Sequence, residues 1–175
     1  QESAVFKTIS GSWSSFEFEG KKMIRLSPEP VKQGRIDMGP ILPSYDVMIS
    51  AKILGKQKRR LKPRMGVGLF GTYGFTLRIA AARNKLELVQ YREVIAGSPC
   101  DWNSSAWQML ELRMRAQKTY WILEGATWAA EAEKPEKPTL VHHAYPASMT
   151  HPLYGRGFLT GSPYNSFPIF FDEVK

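Results

Sequence analysis

Apolar and polar side chains alternate along Phe75-Thr76-Leu77-Arg78-Ile79-Ala80, and they alternate again along Lys85-Leu86-Glu87-Leu88 after the turn signal Arg83-Asn84. Successive side chains of a β-strand point to opposite faces, so this period of two predicts two strands that each bury one face. The same period recurs in residues 47–53 and 110–114. Segments of this kind dominate the chain, and the sequence therefore predicts an all-β fold.

Turn signals rich in Gly, Pro and Asn separate the alternating runs at short intervals, and one of them is Gly97-Ser98-Pro99. Between them we predict strands centred near residues 6, 16, 24, 36, 49, 67, 77, 88, 111, 122, 140, 157 and 170. Residues 126–134 offer at most a turn of helix, because Pro135 stops it. Many short strands without a βαβ rhythm predict an antiparallel β-sandwich of two sheets, a jelly roll.

Length and composition bound the class of protein. The chain has 175 residues, of which 43% are hydrophobic and 23% charged, and this suits a single folded domain over residues 1–175. No apolar run approaches the roughly 18 residues that span a bilayer, and residues 1–20 do not read as a signal peptide. Cys100 is the only cysteine, so no intrachain disulfide forms.

The positive charge is concentrated in residues 56–64. The net charge is +8, and six basic residues without an acid lie in this segment, so that the rest of the chain carries only +2. Such a segment can attract nucleic acid, an anionic polysaccharide or an acidic membrane surface. It contains no aromatic residue to stack on bases, so we predict a solvated hairpin loop and not a nucleic-acid site. If the segment binds a polymer, an anionic glycan fits it as well as DNA does.

The order of motifs resembles a known superfamily. The motifs are Ser12-Trp13, Tyr45-Asp46-Val47-Met48-Ile49, a Gly-rich hairpin at residues 66–75, Trp107 before Leu110-Glu111-Leu112, Trp121 and Trp128, and the closing residues 168–174. This order resembles the concanavalin A-like lectin/glucanase superfamily, in particular the laminin-G-like and 3-keto-disaccharide hydrolase-like domains of secreted bacterial proteins. The resemblance implies two antiparallel sheets, one of them concave, and a carbohydrate ligand. It also implies a secreted, periplasmic or cell-surface location in a bacterium.

Signs of catalysis are weak. Superfamily hydrolases that use two carboxylates place them as Glu-x-Asp-x-x-Glu on one strand, and this run is absent, while Asp172 and Glu173 point to opposite sides of a strand. Two of the three histidines are adjacent and would also point apart, so their spacing requires no zinc site at His142, His143 or His151. We expect no metal and no cofactor, and the absence of a catalytic pattern disfavours an enzyme.

Aromatic and arginine residues on the alternating strands are the candidates for a binding face. Sugar rings stack on Trp and Tyr, and Arg side chains bond the hydroxyl groups. Tyr73 and Tyr91 flank Arg78 on neighbouring predicted strands, and Trp128 ends its strand beside a loop. We therefore predict that one concave sheet face binds carbohydrate through Tyr73, Arg78, Tyr91, Arg113 and Trp128.

Three functions fit these observations. We predict first a non-catalytic carbohydrate-binding or accessory module, which needs an exposed aromatic and polar cleft. The alternative from the enzyme class is a sugar-processing hydrolase or lyase related to the 3-keto-disaccharide hydrolases, which needs clustered acids or histidines with shifted pKa values. The remaining alternative is a structural interaction domain with no small ligand, which needs an apolar patch at an edge. The sequence leaves the ligand and the oligomeric state open.

Overall fold

The computed structural model describes residues 6–29 and 33–175. Short strands form almost all of its regular structure, and no α-helix occurs in the described residues, which confirms the predicted all-β class. The strands are β1 (Phe6–Ser10), β2 (Trp13–Phe18), β3 (Lys21–Leu26), β4 (Gly34–Met38), β5 (Val47–Leu54), β6 (Arg64–Leu69), β7 (Phe75–Ala80), β8 (Lys85–Gln90), β9 (Glu93–Pro99), β10 (Gln108–Ala116), β11 (Trp121–Ala129), β12 (Leu140–Ala144), β13 (Gly157–Ser162) and β14 (Ile169–Asp172). Single 3-10 turns lie at Gly71–Tyr73, Ala81–Arg83 and Pro146–Ser148.

Two antiparallel sheets of seven strands each form a sandwich. We call the sheet with the order β1-β4-β13-β6-β7-β8-β9 the front sheet, and the sheet with the order β12-β11-β10-β5-β14-β3-β2 the back sheet. Hairpins join β6 to β7 and β7 to β8, whereas β13 enters between β4 and β6 from a distant part of the chain. This architecture confirms the two-sheet antiparallel sandwich that the sequence predicts.

The core lies between the sheets and follows the period of two. Val67 of β6 and Leu77 of β7 point inward from the front sheet, and Leu112 of β10 and Leu123 of β11 meet them from the back sheet, all without measurable exposure. Burying a side chain of this size stabilises a fold by roughly 1.5–3 kcal/mol. The residues between them in sequence therefore occupy the two outer faces.

The strand predictions have one omission and two errors. Every predicted centre falls in or at the end of a strand, but β9 was not predicted. Gly97-Ser98-Pro99 belongs to β9 and is not a turn, because β9 is an edge strand, where a proline removes no ladder hydrogen bond. Residues 126–129 lie in β11 and not in a helical turn, because they pair with β10.

The basic segment forms the connection between β5 and β6. Lys58 and Leu61 exchange two backbone hydrogen bonds of 3.0 Å, so the segment contains a tight turn. Its last residue, Arg64, is the first of β6 and brings the segment to the front sheet. Across the two described ranges, no helix has the length and the apolar character needed to cross a membrane.

Candidate functional site

The outer face of the front sheet carries polar side chains that are nevertheless buried. Glu87 of β8 and Thr160 of β13 are each only 4% exposed, and Asp37 of β4 and Ser162 of β13 are also buried. Each alternates with a core residue, so each points away from the interior of the sandwich. Buried polar groups need partners. The face is therefore an organised polar layer and not an ordinary solvated surface.

A cleft of about 220 Å³ opens on this face between β13, β6, β7 and the β8–β9 hairpin. We call it the arginine cleft. Three arginines and no carboxylate are found among its described lining residues, which include Gln33, Arg64, Arg78, Tyr91, Arg92 and Thr160. Gln33 Nε2 donates a hydrogen bond of 3.0 Å to Thr160 Oγ1, and this contact joins the start of β4 to β13. The cleft thus combines cationic, amide and hydroxyl groups.

Arg78 is anchored beneath the cleft by Glu87. Arg78 Nε donates to Glu87 Oε1 at 3.1 Å, and Arg83 Nη2 donates to the same oxygen at 2.7 Å. Burial lowers the pKa of Arg78 and the charge of Arg64 lowers it further, whereas the hydrogen bond and charge of Glu87 oppose the change. Arg78 keeps its positive charge at neutral pH, because a guanidinium is not deprotonated in proteins. Arg64 and Arg78 are therefore neighbouring cations, and Glu87 compensates their positive charge only in part.

An ion pair between Arg35 and Asp37 fills the part of the face next to the arginine cleft. Arg35 donates to both carboxylate oxygens of Asp37, at 2.7 and 3.1 Å, and its guanidinium carbon lies 4.5 Å from the centre of the Phe158 ring. The Phe158 ring in turn covers Gly68 of β6, where any Cβ atom would lie only 2.0 Å from Phe158 Cζ. These contacts occupy the surface near β4 and limit the open cleft to the side of β7.

Aromatic rings form the far rim. Tyr91 lies at the tip of the β8–β9 hairpin with a φ of 57° and is 53% exposed. Its ring centre is 5.3 Å from that of Tyr73, and Tyr73 stacks on His151 at 3.8 Å. A depression of about 280 Å³, which we call the aromatic depression, is lined by these three rings and by Glu93. Tyr91 also lines the arginine cleft, so it stands between the two.

Known proteins share this fold. No family model and no curated protein matches the sequence. Among solved structures, the chain is similar to the carbohydrate-binding module CBM66 from Bacillus subtilis, with a TM-score of 0.61 and 14% identity over 97% of this chain and 92% of that chain. The metal-free form of the Emp46p carbohydrate recognition domain is similar with a TM-score of 0.63 and 8% identity over 98% of this chain and 85% of that chain. The Lotus tetragonolobus seed lectin is similar with a TM-score of 0.59 and 7% identity over 99% of this chain and 90% of that chain.

The chain has the concanavalin A-like fold. The fold that the order of sequence motifs implied is therefore confirmed. At these identities the similarity establishes the fold, and the residues of the site must carry any statement about function.

The five predicted binding residues of this concanavalin A-like domain do not share one face. Tyr73, Arg78 and Tyr91 lie together at the front sheet. Arg113 of β10 and Trp128 of β11 lie on the outer face of the back sheet, where Arg113 is exposed and Lys134 Nζ is 5.9 Å from the Trp128 ring. Alternation identified outward positions correctly, but it does not show to which sheet a strand belongs. Binding by any of the five stays a prediction.

Sequence reasoning missed three groups that line the arginine cleft. The sequence pattern assigns Arg64 only to the basic segment, and it does not single out Gln33 or Thr160. A signal for Arg64 existed, because the predicted β6–β7 hairpin pairs Gly66 with Arg78 and so places Arg64, two residues earlier, on the same face. No comparable signal links Gln33 to Thr160, because long-range strand pairing brings them together.

Groups suited to metal binding do not converge in the part of the domain that the structure describes. Within the described ranges, no three side chains of His, Cys, Asp or Glu lie close enough together to hold an ion. His142 shares the inward face of β12 with core residues, and its pKa is lowered by burial and then by His143. His143 lies on the opposite face, 5.1 Å from the Tyr120 ring.

An apolar groove of about 520 Å³ lies at the edge of the sandwich where the edge strands β1 and β2 are found. It is lined by Trp13, Ile24 and Phe171, and the exposed rings of Phe16 and Phe18 stack on the outer face of β2 nearby. This is the type of feature that an interaction domain needs. It is separate from the arginine cleft, with which it shares no lining residue.

Proposed function

We propose that this domain is a carbohydrate-binding module that holds a sugar in the arginine cleft. The observation that carries the proposal is the meeting, on one sheet face, of arginine, amide and hydroxyl groups with an exposed tyrosine at the rim. Sugar hydroxyls both donate and accept, and Arg64 and Arg78 supply donors while Thr160 supplies either. The apolar face of a sugar ring stacks on an aromatic ring such as Tyr91.

The size of the cleft suits part of a larger ligand. Its volume of about 220 Å³ is below the roughly 300–1,000 Å³ of pockets that enclose drug-sized ligands. A single ring is therefore expected to sit in the cleft while its neighbours extend along the surface. The similarity of the fold to CBM66 from Bacillus subtilis and to the carbohydrate recognition domain of Emp46p supports a glycan as the ligand class.

The proposal is for binding without hydrolysis, in a module that is secreted or displayed on a bacterial surface. Glycoside hydrolysis by the usual route needs two carboxyl groups roughly 5–9.5 Å apart. Among the described lining residues of the arginine cleft there is no carboxylate, and nearby Glu87 is held by two arginines. The location is supported by the resemblance of the sequence motifs to secreted bacterial domains.

A glycan array with two aromatic variants tests the proposal. We expect the parent domain to bind a defined set of glycans and Tyr91→Asn to weaken that binding by up to about tenfold, the value for a lost stacking contact. Trp128→Ala is the matched control, because it removes an aromatic ring from the back sheet.

The two outcomes that contradict the proposal are distinct. Loss of binding in Trp128→Ala with normal binding in Tyr91→Asn would move the site to the back sheet. Failure of the parent domain to bind any neutral or charged glycan would reject carbohydrate binding itself.

A further inference from the structure

The arginine cleft is the middle of a longer groove. It shares Arg64 with a depression of about 370 Å³ that is lined by Arg60, Lys62, Arg83 and Tyr164, which we call the basic depression. At its other end it shares Tyr91 with the aromatic depression. Three depressions thus join end to end on the front sheet.

The groove runs along β7. The outward positions of this strand are Thr76 and Arg78, which line the arginine cleft, and Ala80, which lines the basic depression. Tyr73 precedes the strand and lines the aromatic depression. At about 3.3 Å per residue, β7 alone measures roughly 20 Å. A linear chain of several linked sugar rings fits such a path better than a single sugar does.

The groove is strongly positive. Six cations line its three parts, namely Arg60, Lys62, Arg64, Arg78, Arg83 and Arg92, whereas Glu93 is the single carboxylate among the described lining residues. Arg78 and Arg83 form salt bridges, both with Glu87. Within the described part of the chain the other four cations form none. The charge along the groove is therefore available to a ligand.

We infer that the groove binds a linear acidic polysaccharide, whose carboxylate or sulfate groups lie against Arg64, Arg78 and the basic depression. This inference rests on the proposed function and names the chemical class of its ligand. Guanidinium groups form paired hydrogen bonds with planar carboxylates and bind other oxyanions similarly, which gives both affinity and orientation. A neutral glycan would leave the neighbouring cations uncompensated. Burial lowers the pKa of Arg78, and the neighbouring charge of Arg64 lowers it further.

Single-stranded nucleic acid is also a linear polyanion, but the groove suits it less well. Nucleic-acid channels place aromatic side chains at intervals on which successive bases stack. The described aromatic residues of the groove are Tyr164 in the basic depression, Tyr91, and Tyr73 and His151 in the aromatic depression. Tyr73 and His151 already stack on each other. In the arginine cleft Tyr91 is the only aromatic residue among the described lining residues, whereas Gln33, Thr160 and Ser162 provide groups that pair with sugar hydroxyls. These polar groups favour a glycan.

Calorimetry with matched pairs of polymers tests the inference. The anionic probes are polygalacturonate and dextran sulfate, and their neutral counterparts are methyl-esterified polygalacturonate and dextran. We expect at least one anionic polymer to bind at least tenfold more tightly than its neutral counterpart, and added NaCl to weaken the binding, since it screens the charges. Which anionic polymer binds distinguishes carboxylate from sulfate.

Charge variants locate the ligand in the groove. Lys62→Gln and Arg64→Gln should each weaken binding of the anionic polymer by about twofold to fivefold, as expected for losing a partly exposed ion pair. Lys118→Gln removes the same charge from the exposed β10–β11 turn of the back sheet and should leave binding unchanged. Equal losses of affinity in all three variants would show a general charge effect and would contradict binding in the groove.

The remaining outcomes separate the inference from the proposed function. Equal affinity for a charged polymer and its neutral counterpart would overturn acid recognition and leave carbohydrate binding intact. Tighter binding of a single-stranded oligonucleotide of equal charge than of either anionic glycan would overturn the ligand class. Binding of no glycan of any kind would reject the proposed function together with the inference.

Discussion

Tyr91 occupies a backbone conformation that tyrosine seldom adopts. Its φ of 57° is in the left-handed region, which costs a residue with a side chain of this kind roughly 1–2 kcal/mol relative to a right-handed conformation. Glycine and asparagine adopt it more readily. Seven other non-glycine residues of the described chain also have a positive φ, so the conformation alone does not mark a functional site. Tyr91 is a candidate because its exposed ring lies at the rim of the arginine cleft.

Tyr91→Asn should therefore separate stability from binding. We expect a free energy of unfolding at least equal to that of the parent, because relief of strain offsets the loss of the contact with Tyr73, whose ring centre is 5.3 Å away. Urea unfolding measures this quantity, and the glycan array measures the binding. A variant that loses stability by more than about 1 kcal/mol would show that Tyr91 has a packing role in the hairpin.

The thiol of Cys100 should be unreactive in the folded domain. Burial, with a smaller contribution from Asp101, raises its pKa to about 11, whereas an unfolded cysteine ionises near pH 8.5. The unfolded chain therefore loses its proton first, and this group lowers folding stability as the pH rises from about 8.5 towards 11. Alkylation rates against pH should give a midpoint near 11 for the folded protein and near 8.5 in urea. A midpoint near 8.5 in both would contradict this account.

Individual site residues were predictable only in part. Arg78 and Tyr91 are candidates from the sequence that also line the arginine cleft, because the chemistry and the position of each are visible in its own strand or hairpin. Arg113 and Trp128 have the same chemistry and alternation, yet they belong to strands of the back sheet. A residue's face follows from local period, whereas its sheet follows from pairing with distant segments.

At the scale of elements, the contact between β6 and β13 shows how a glycine shapes the site. Phe158 of β13 is only 4% exposed because its ring lies over Gly68 of β6. The guanidinium group of Arg35 lies over this ring, 4.5 Å from its centre. Since the ring occupies the space that a side chain at position 68 would need, glycine is required there.

Gly68→Ala should destabilise the domain by roughly 1–3 kcal/mol, the usual effect of overpacking, because Phe158 must move. Gly97→Ala is the matched control in β9, where an added Cβ would meet only Leu86 O at an ordinary 3.6 Å. That variant should be unchanged or more stable by up to about 1 kcal/mol, since alanine replaces glycine within a strand. Urea unfolding of both variants measures the difference, and equal effects would contradict the proposed packing.

Strand positions were predicted well because most strands have one buried and one outer face. β9 is the exception, since it combines an edge position with Gly97 and Pro99. These residues usually mark a turn, but an edge strand tolerates them because one side of its backbone needs no partner. The hydrogen bonds to β8 make this segment a strand although Gly97-Ser98-Pro99 is typical of a turn.

At the scale of the whole molecule, the site depends on pairings that no local pattern encodes. Gln33 and Thr160 are 127 residues apart in sequence and share a hydrogen bond in the arginine cleft. β13 brings Thr160 there by entering between β4 and β6. The order of motifs indicated the sandwich fold, whereas the composition of the cleft depends on how distant strands are arranged in the front sheet.

The location of the positive charge also depends on the whole fold. In sequence, the basic residues form a local segment that reads as a solvated loop. In the fold, its end at Arg64 joins the arginine cleft to the basic depression and lies on the same sheet face as Arg78 of the neighbouring strand. The positive charge of the β5–β6 connection thus continues onto the outer face of the front sheet.

The most direct test of carbohydrate binding at the front sheet is mapping by nuclear magnetic resonance. Backbone amide shifts of the 19.8 kDa domain would be followed during titration with a glycan that binds it. We predict that the largest shift changes cluster at Arg64, Arg78 and Tyr91. Changes that cluster instead at Arg113 and Trp128 of the back sheet, or along the apolar groove, would contradict the account.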